Sequence, residues 1–275
     1  MSISSLQLDA FMEVVKLGSF SLAAKSLFVT QSALSQRIGN LERELEAPLL
    51  IRGDKEIKMT ETGEKLWRYG KGRDQLESQF HSEVSLEKGE LGGAVNIGSF
   101  STYTRSVLLP KISKIVEKHP KIHFNVESKE IRELAGLLKS GVFDFVFSTE
   151  PIKLQYIESL LIGSEKNVLI ESSKGSAKGI YIDHDENDPT TKNFWDLQKK
   201  GPGEYRSIYF DEIYAIIDAV GLGLGRAIVP EHLVKGDKRV KILKNFVPLE
   251  VPIYLCFHKQ PISTKLHSFL KDFFT

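Results

Sequence analysis

Residues 29–45 read Val29-Thr30-Gln31-Ser32-Ala33-Leu34-Ser35-Gln36-Arg37-Ile38-Gly39-Asn40-Leu41-Glu42-Arg43-Glu44-Leu45, and their pattern decides the fold of the N-terminal part. Leu34, Ile38, Leu41 and Leu45 follow the i, i+4, i+7, i+11 spacing of a helix that buries one stripe. Thr30 stands where a hydroxyl can cap its first turn. At about 100° per residue, Ser32, Ser35, Gln36, Gly39 and Arg43 fall on the opposite side, with Arg37 at the stripe's edge. The outer face is therefore short, polar and hydrogen-bonding. Upstream, the spacing predicts a helix from about Ser4 to Leu17, with Leu6, Phe11, Val14 and Val15 on one face and Gly18 as its left-handed stop. A second helix, Leu22 to Phe28 capped by Ser21, carries Ala23 and Ala24, which let a neighbour cross closely, and Val29 fills the turn beneath.

Two helices joined by a tight turn, the second showing Gln, Ser and Arg outward, have the form that enters a major groove. Amides and hydroxyls can read base edges there. A small helical bundle with a merely solvated polar face fits the same pattern, and charge does not separate the two. Within residues 1–60, Lys16, Lys25, Lys55, Lys58, Arg37, Arg43 and Arg52 are matched one for one by Asp9, Asp54, Glu13, Glu42, Glu44, Glu46 and Glu56. DNA-binding domains usually carry a basic footprint. What stands out is local: Arg52, Lys55 and Lys58 cluster on Ile51 to Met59, a segment that reads as a β-ribbon wing.

Gly18-Ser19-Phe20, Ala23-Ala24, Leu27, Val29 through Ser35, Ile38, Leu41-Glu42, Leu45, Pro48-Leu49, Arg52 and Met59-Thr60-Glu61-Thr62-Gly63 together resemble the winged helix-turn-helix of LysR-type transcriptional regulators. The run is long and gap-free. Ser32 stands where that family usually has proline, and Gln36-Arg37 where Arg-Gln is usual. The resemblance implies base-reading or phosphate positions for Gln31, Ser32, Ser35 and Gln36, and a minor-groove approach for Arg52 on the wing. Arg37 is assigned to a phosphate or an internal salt bridge, and Thr30, Lys55 and Lys58 complete the expected DNA-facing set. A glutamine amide at position 36 suits adenine better than guanine.

The whole chain has 275 residues, more than one ordinary domain, with 41% hydrophobic and 27% charged residues and a net charge of +1. That excludes wholesale disorder and any global pull toward nucleic acid or membrane. A lone Cys256 rules out an intramolecular disulfide framework, and no signal peptide or long uncharged apolar run is found, so a cytoplasmic protein is expected. After Thr60, a possible cap, a helical pattern runs to about Lys88 with Leu66, Tyr69, Leu76, Phe80 and Val84 recurring on one face, weakened by Gly70 and Gly72. A stripe this long between domains has nothing local to bury against, unless it packs on its own C-terminal domain. The resemblance implies antiparallel pairing with a partner's helix, giving a homodimer or homotetramer on a pseudo-palindromic double-stranded operator.

Glu90 to Gly93 reads as a hinge, and from Ala94 strands and helices alternate. Val95-Asn96-Ile97, His123 to Glu127 and Asp144 to Ser148 read as strands, with helices Val107 to Lys118 and Ile131 to Ser140 between them. A second α/β set follows: strands Val168 to Glu171, Ile180 to Asp183 and Ser207 to Phe210, a helix from Asp211 to Val220, and strand Ala227 to Val229. Ile253 to His258 and a helix from Thr264 to Phe274 return to the first lobe. In such sheets ligands bind beyond the carboxyl ends of strands. That selects Ser99, Ser101 and Thr102 after the first strand, Thr149 after the third, and Asp211 in the other lobe, although ordinary capping accounts for each as well. Leu109-Pro110, His119-Pro120, Gly141 to Asp144 and Gly221 through Pro230 resemble the two-lobed, periplasmic-binding-protein-like effector domain of LysR regulators. The expected division is 1–60 for the winged helix-turn-helix, 61–89 for the linker helix and 90–275 for the effector domain, with lobe I at about 94–163 and 248–275 and lobe II at about 164–247.

Other motifs fail on inspection. Arg226 occupies the last glycine of a GxGxxG, and Asp183 to Asp188 mimics a calcium loop but reads as solvated, with Asp188 at the turn glycine and Phe194 at the bidentate glutamate. No catalytic site, cofactor or metal is expected. The expected function is a DNA-binding regulator modulated by a small-molecule effector between two α/β lobes. The alternative is a cytoplasmic sequestering protein whose N-terminal helices serve oligomerisation.

Overall fold

The computed structural model describes residues 3–52, 57–85, 90–199, 201, 203–259 and 263–275. The chain opens with α1 (Ser5–Leu17), α2 (Phe20–Ser26) and α3 (Gln31–Glu44), then β1 (Leu50–Arg52) and β2 (Ile57–Met59). Gly18 ends α1 in the left-handed region, φ 61°, as its position predicts. α2 starts earlier than its apolar pattern suggests. Its first amides are served by Ser19, not Ser21, because Ser19 holds the extended backbone (φ −151°, ψ 124°) that a cap requires. Ser21 Oγ instead donates to Gln31 Oε1 at 3.0 Å. Ala23, Ala24, Phe11, Leu34, Ile38, Leu41 and Leu49 form one core, and β1 pairs antiparallel with β2 as a short ribbon beside it.

α4 (Glu61–Ser85) is capped by Thr60, whose Oγ1 accepts from the Gly63 amide at 3.0 Å. Its apolar stripe divides. Leu66, with Trp67, packs into the N-terminal core, so the expectation that the stripe has no local partner fails at that end. Farther along, Tyr69, Leu76 and Phe80 are exposed. Gly70 marks the crossing of α1, since a Cβ there would lie 2.4 Å from Met12 Sδ. Arg73 binds the same two helices through Asp9 at 2.6 Å.

β3 (Gly93–Ser99), α5 (Ser101–Tyr103), a π-turn at Thr104–Leu108, α6 (Leu109–Lys118), β4 (Ile122–Ser128), α7 (Ile131–Lys139) and β5 (Phe145–Ser148) build the first lobe. β3 pairs parallel with both β4 and β5. Helical structure starts at Ser101 instead of Val107. Pro110 would clash with the carbonyl four residues back, and the wider Leu109 N–H to Thr104 O bond of the π-turn accommodates it. The linker touches this lobe: Lys139 Nζ lies 2.7 Å from Glu64 Oε1, and Gly141 (φ 67°) faces Trp67.

β6 (Ile157–Ser172), β7 (Ile180–Asp183), α8 (Thr190–Gln198), β8 (Arg206–Tyr209), α9 (Ile213–Gly221), β9 (Ala227–Pro230), α10 (Glu231–Val234), β10 (Val240–Ile242), β11 (Leu249–His258) and α11 (Lys265–Phe274) follow. β6 is far longer than the expected Val168 to Glu171. Its polar middle, Gly163 to Asn167, extends because β11 pairs with it from Leu249 to His258. One seven-stranded sheet, ordered β10-β6-β11-β5-β3-β4 with β9 also on β6, therefore joins the lobes, and β7 and β8 pair separately. Of the run expected as a solvated loop, residues 184–188 form one and Asp183 is buried at the end of β7; α8 follows and buries Phe194 and Trp195 against Tyr181 and Leu169. The loop's acidic groups organise the turn: Asp188 accepts from the His184 amide at 3.1 Å and the Thr190 amide at 2.9 Å.

Candidate functional site

The polar side of α3 is the first surface of interest. With Leu34, Ile38 and Leu41 buried beneath, Ser32, Gln36 and Arg43 are exposed and Ser35 and Arg37 half-buried. Thr30 and Gln31, expected on the same surface, also have local duties. Thr30 Oγ1 accepts from the Ala33 amide at 3.1 Å and lies 3.0 Å from Ser32 Oγ, while Gln31 takes the Ser21 hydroxyl. The ribbon sets exposed Lys58 opposite Ile51. Lys55 lies outside the described residues, and so does the side chain of Arg52. Phe28, in the turn between α2 and α3, has φ 54° and is 95% exposed. No local signal marks this exposure, because Phe28 reads as the last apolar residue of a helix.

The second surface lies at the carboxyl ends of β3 and β5, which the parallel pairing of Gly98 with Val146 sets side by side. Ser101 is exposed there and Thr149 half-buried, whereas Thr102 is buried and Ser99 wholly so, its Oγ 3.5 Å from the Phe100 carbonyl. Asp211 follows β8 in the other lobe and is exposed. It does not open α9. Glu212 does, accepting from the Ala215 amide at 2.9 Å, since it holds the extended backbone (φ −129°, ψ 123°) next to the first turn.

Two contacts join the lobes across this edge. The Arg105 guanidinium sits 4.4 Å over the ring of Tyr214 on α9, and His184 Nε2 lies 3.4 Å from Glu130 Oε2. Deeper, on β6, Glu165 is 9% exposed, and its Oε1 has no hydrogen-bond partner; the nearest basic atom, His232 Nε2 of α10, is 3.8 Å away. Burial pushes the Glu165 carboxyl up to about 7 and holds the His232 imidazole below its ordinary value. Tyr103 of α5 is pushed up to about 12 by its own burial, with the charge of Glu165 adding to it. Sequence reasoning missed these residues. Their meeting depends on pairings between distant segments, which leave no local spacing.

The family model described as "Bacterial regulatory helix-turn-helix protein, lysR family" matches residues 6–64, and that of the LysR substrate binding domain matches residues 88–273. An uncharacterised helix-turn-helix-type transcriptional regulator in the lacR 5' region of Staphylococcus xylosus is 26% identical over 165 residues, 60% of this chain. The chain spans 61% of that relative's length. The helix-turn-helix-type transcriptional regulator YofA of Bacillus subtilis is 25% identical, covering 86% of this chain and 84% of its own. Among solved structures, full-length LysG from Corynebacterium glutamicum with bound effector Arg superposes with a TM-score of 0.76 at 19% identity, covering 98% of this chain and 96% of that one.

Proposed function

The chain belongs to the LysR family of bacterial helix-turn-helix regulators, and from that premise we propose which of its residues meet DNA and which meet the effector. As a member it is a DNA-binding transcriptional regulator with an effector-binding domain. In our reading Ser32, Ser35 and Gln36 of α3 face base edges. Thr30, Gln31 and Arg37 take phosphates near the helix start, and Arg52, Lys55 and Lys58 form the wing contact. One observation carries this: the hydroxyl-and-amide side of α3 lies opposite its buried Leu34, Ile38 and Leu41, and among the described residues none of the core covers it. Residues 1–60, 61–89 and 90–275 divide the labour as DNA-binding unit, linker and effector domain.

Ser99, Ser101, Thr102 and Thr149 from lobe I and Asp211 from lobe II line the effector cleft in the same reading. Ser101 and Thr149 are the accessible members, and Ser99 acts through its backbone. The bound effector in the similarly folded LysG supports a small-molecule ligand for this architecture. The exposed part of α4 pairs with a second copy, so that two recognition helices reach successive major grooves. The chain binds and does not catalyse, and it works in the cytoplasm beside DNA. No helix among the described residues is long and apolar enough to cross a membrane.

The test is a titration of the full chain against DNA from upstream of its own coding region, across a salt series. Phosphate contacts release counterions, so log affinity falls linearly with log salt. We expect a steep slope together with a preference over unrelated DNA. Binding without either would contradict the assignment.

A further inference from the structure

We propose that the effector carries a cationic nitrogen, an ammonium, amidinium or guanidinium group, which Glu165 receives where the two lobes meet. The proposal rests on the reading that the cleft is the effector site, and it names the chemistry that site selects. β6 runs through both lobes, and Glu165 stands in its middle with Tyr103 of lobe I and His232 of lobe II as neighbours. Buried carboxylates in native structures normally accept hydrogen bonds from donors placed for them. This protein supplies such donors elsewhere. Buried Asp183 accepts from Thr191 Oγ1 at 2.5 Å and Ser207 Oγ at 2.8 Å. Glu171, on the same strand as Glu165, has Arg226 Nη2 at 2.6 Å and Lys241 Nζ at 3.1 Å.

Glu165 Oε1 receives nothing, although it is as deeply placed as Asp183. Of the titratable groups around it, His232 faces it from α10 beyond hydrogen-bond reach, and Tyr103 approaches from α5. Val251, its partner on β11, offers no side-chain donor, and the adjacent Lys166, which alternation turns to the other side of the strand, lies 3.9 Å from Glu250. A buried carboxyl oxygen kept without a donor, between a side chain of lobe I and one of lobe II, is completed by a donor arriving from outside. A cation there also stabilises the ionised form, so a group that is partly protonated near neutral pH gives up a proton as ligand binds. A neutral or anionic ligand head would leave that proton in place.

Calorimetric titration of the full chain at pH 7, in two buffers of different ionisation enthalpy, separates these cases. The probes are L-arginine, L-lysine and putrescine, with L-citrulline and L-norleucine as uncharged counterparts. We expect at least one cationic probe to bind with net proton release and its uncharged counterpart to bind about tenfold or more weakly, the loss of a charge-assisted hydrogen bond. Glu165→Gln should weaken the cation by a similar factor and abolish proton release, whereas Glu165→Asp should keep part of both. Unchanged cation affinity in Glu165→Gln, or binding by none of the cationic probes, overturns the proposal. Ser101→Trp, which fills the cleft mouth, tells that failure from a failure of the cleft reading. If a probe is blocked by Ser101→Trp yet indifferent to Glu165→Gln, the cleft stands and the charge assignment falls. If it is indifferent to both, both fall.

Discussion

His267 stacks on Phe145 with ring centroids 4.6 Å apart, and burial holds its pKa down at about 4. Folding therefore excludes a proton that the unfolded chain binds below its ordinary value of 6.5. Stability from this site is full above pH 6.5 and falls by about 3 kcal/mol as pH drops to 4. His267→Gln should flatten that acid limb, read by urea unfolding at pH 4 and pH 7. Glu165 runs the opposite way. Its raised pKa means that the native state binds the extra proton between 4.5 and about 7, so stability is full below 4.5 and declines by about 3 kcal/mol as pH rises through 7. Glu165→Gln should be more stable than the parent at pH 8 and no more stable at pH 4; equal stability at both would refute the buried-carboxyl account. Phe28 has a left-handed backbone and makes little use of its ring for packing. Phe28→Gly should raise the unfolding free energy by about 1 kcal/mol.

The elements show which parts of the fold could be read from local pattern. Thr30 capping α3, the Leu34-Ile38-Leu41 stripe and Gly18 ending α1 are fixed by residues within a turn of one another, and each is found where it was expected. The middle of β6 is different. Gly163 to Asn167 has no strand-like sequence, and it is extended only because β11, from the far end of the chain, pairs with it. The same holds for the proposed cleft: Ser101 and Thr149 follow from strand ends, but Arg105 meets Tyr214, and Glu165 meets His232, through the tertiary fold alone. Glycine positions give a direct check on element packing. A Cβ on Gly63 would lie 2.2 Å from the Leu49 carbonyl oxygen, backbone that cannot swing aside, so Gly63→Ala should displace the start of α4 from the wing. We expect a loss of about 3 kcal/mol or more, at the upper end for overpacking, measured by chemical unfolding. Gly72, with nothing within 4 Å of such a Cβ, is the control; Gly72→Ala should be neutral or stabilising.

At the scale of the molecule, regulation requires that a ligand prefer one arrangement of subunits and that α4 carry the difference to the DNA-binding units. α4 touches both ends of the chain, through Leu66 and Trp67 to the N-terminal core and through Glu64 to Lys139 of lobe I. Beyond these contacts Tyr69 and Leu76 are exposed, and they are the surface we propose for a second copy. Leu76→Glu should shift sedimentation toward the monomer and weaken operator binding in proportion, while the near-ultraviolet spectrum of the fold persists. Sequence-specific binding depends, in the proposed reading, on the outer face of α3. Its most direct test is the affinity of a Ser35→Ala, Gln36→Ala double variant for upstream DNA, measured by fluorescence anisotropy beside its thermal unfolding. We predict loss of the preference for that DNA over unrelated sequence with an unchanged melting temperature, and retained preference in the folded variant would contradict the account.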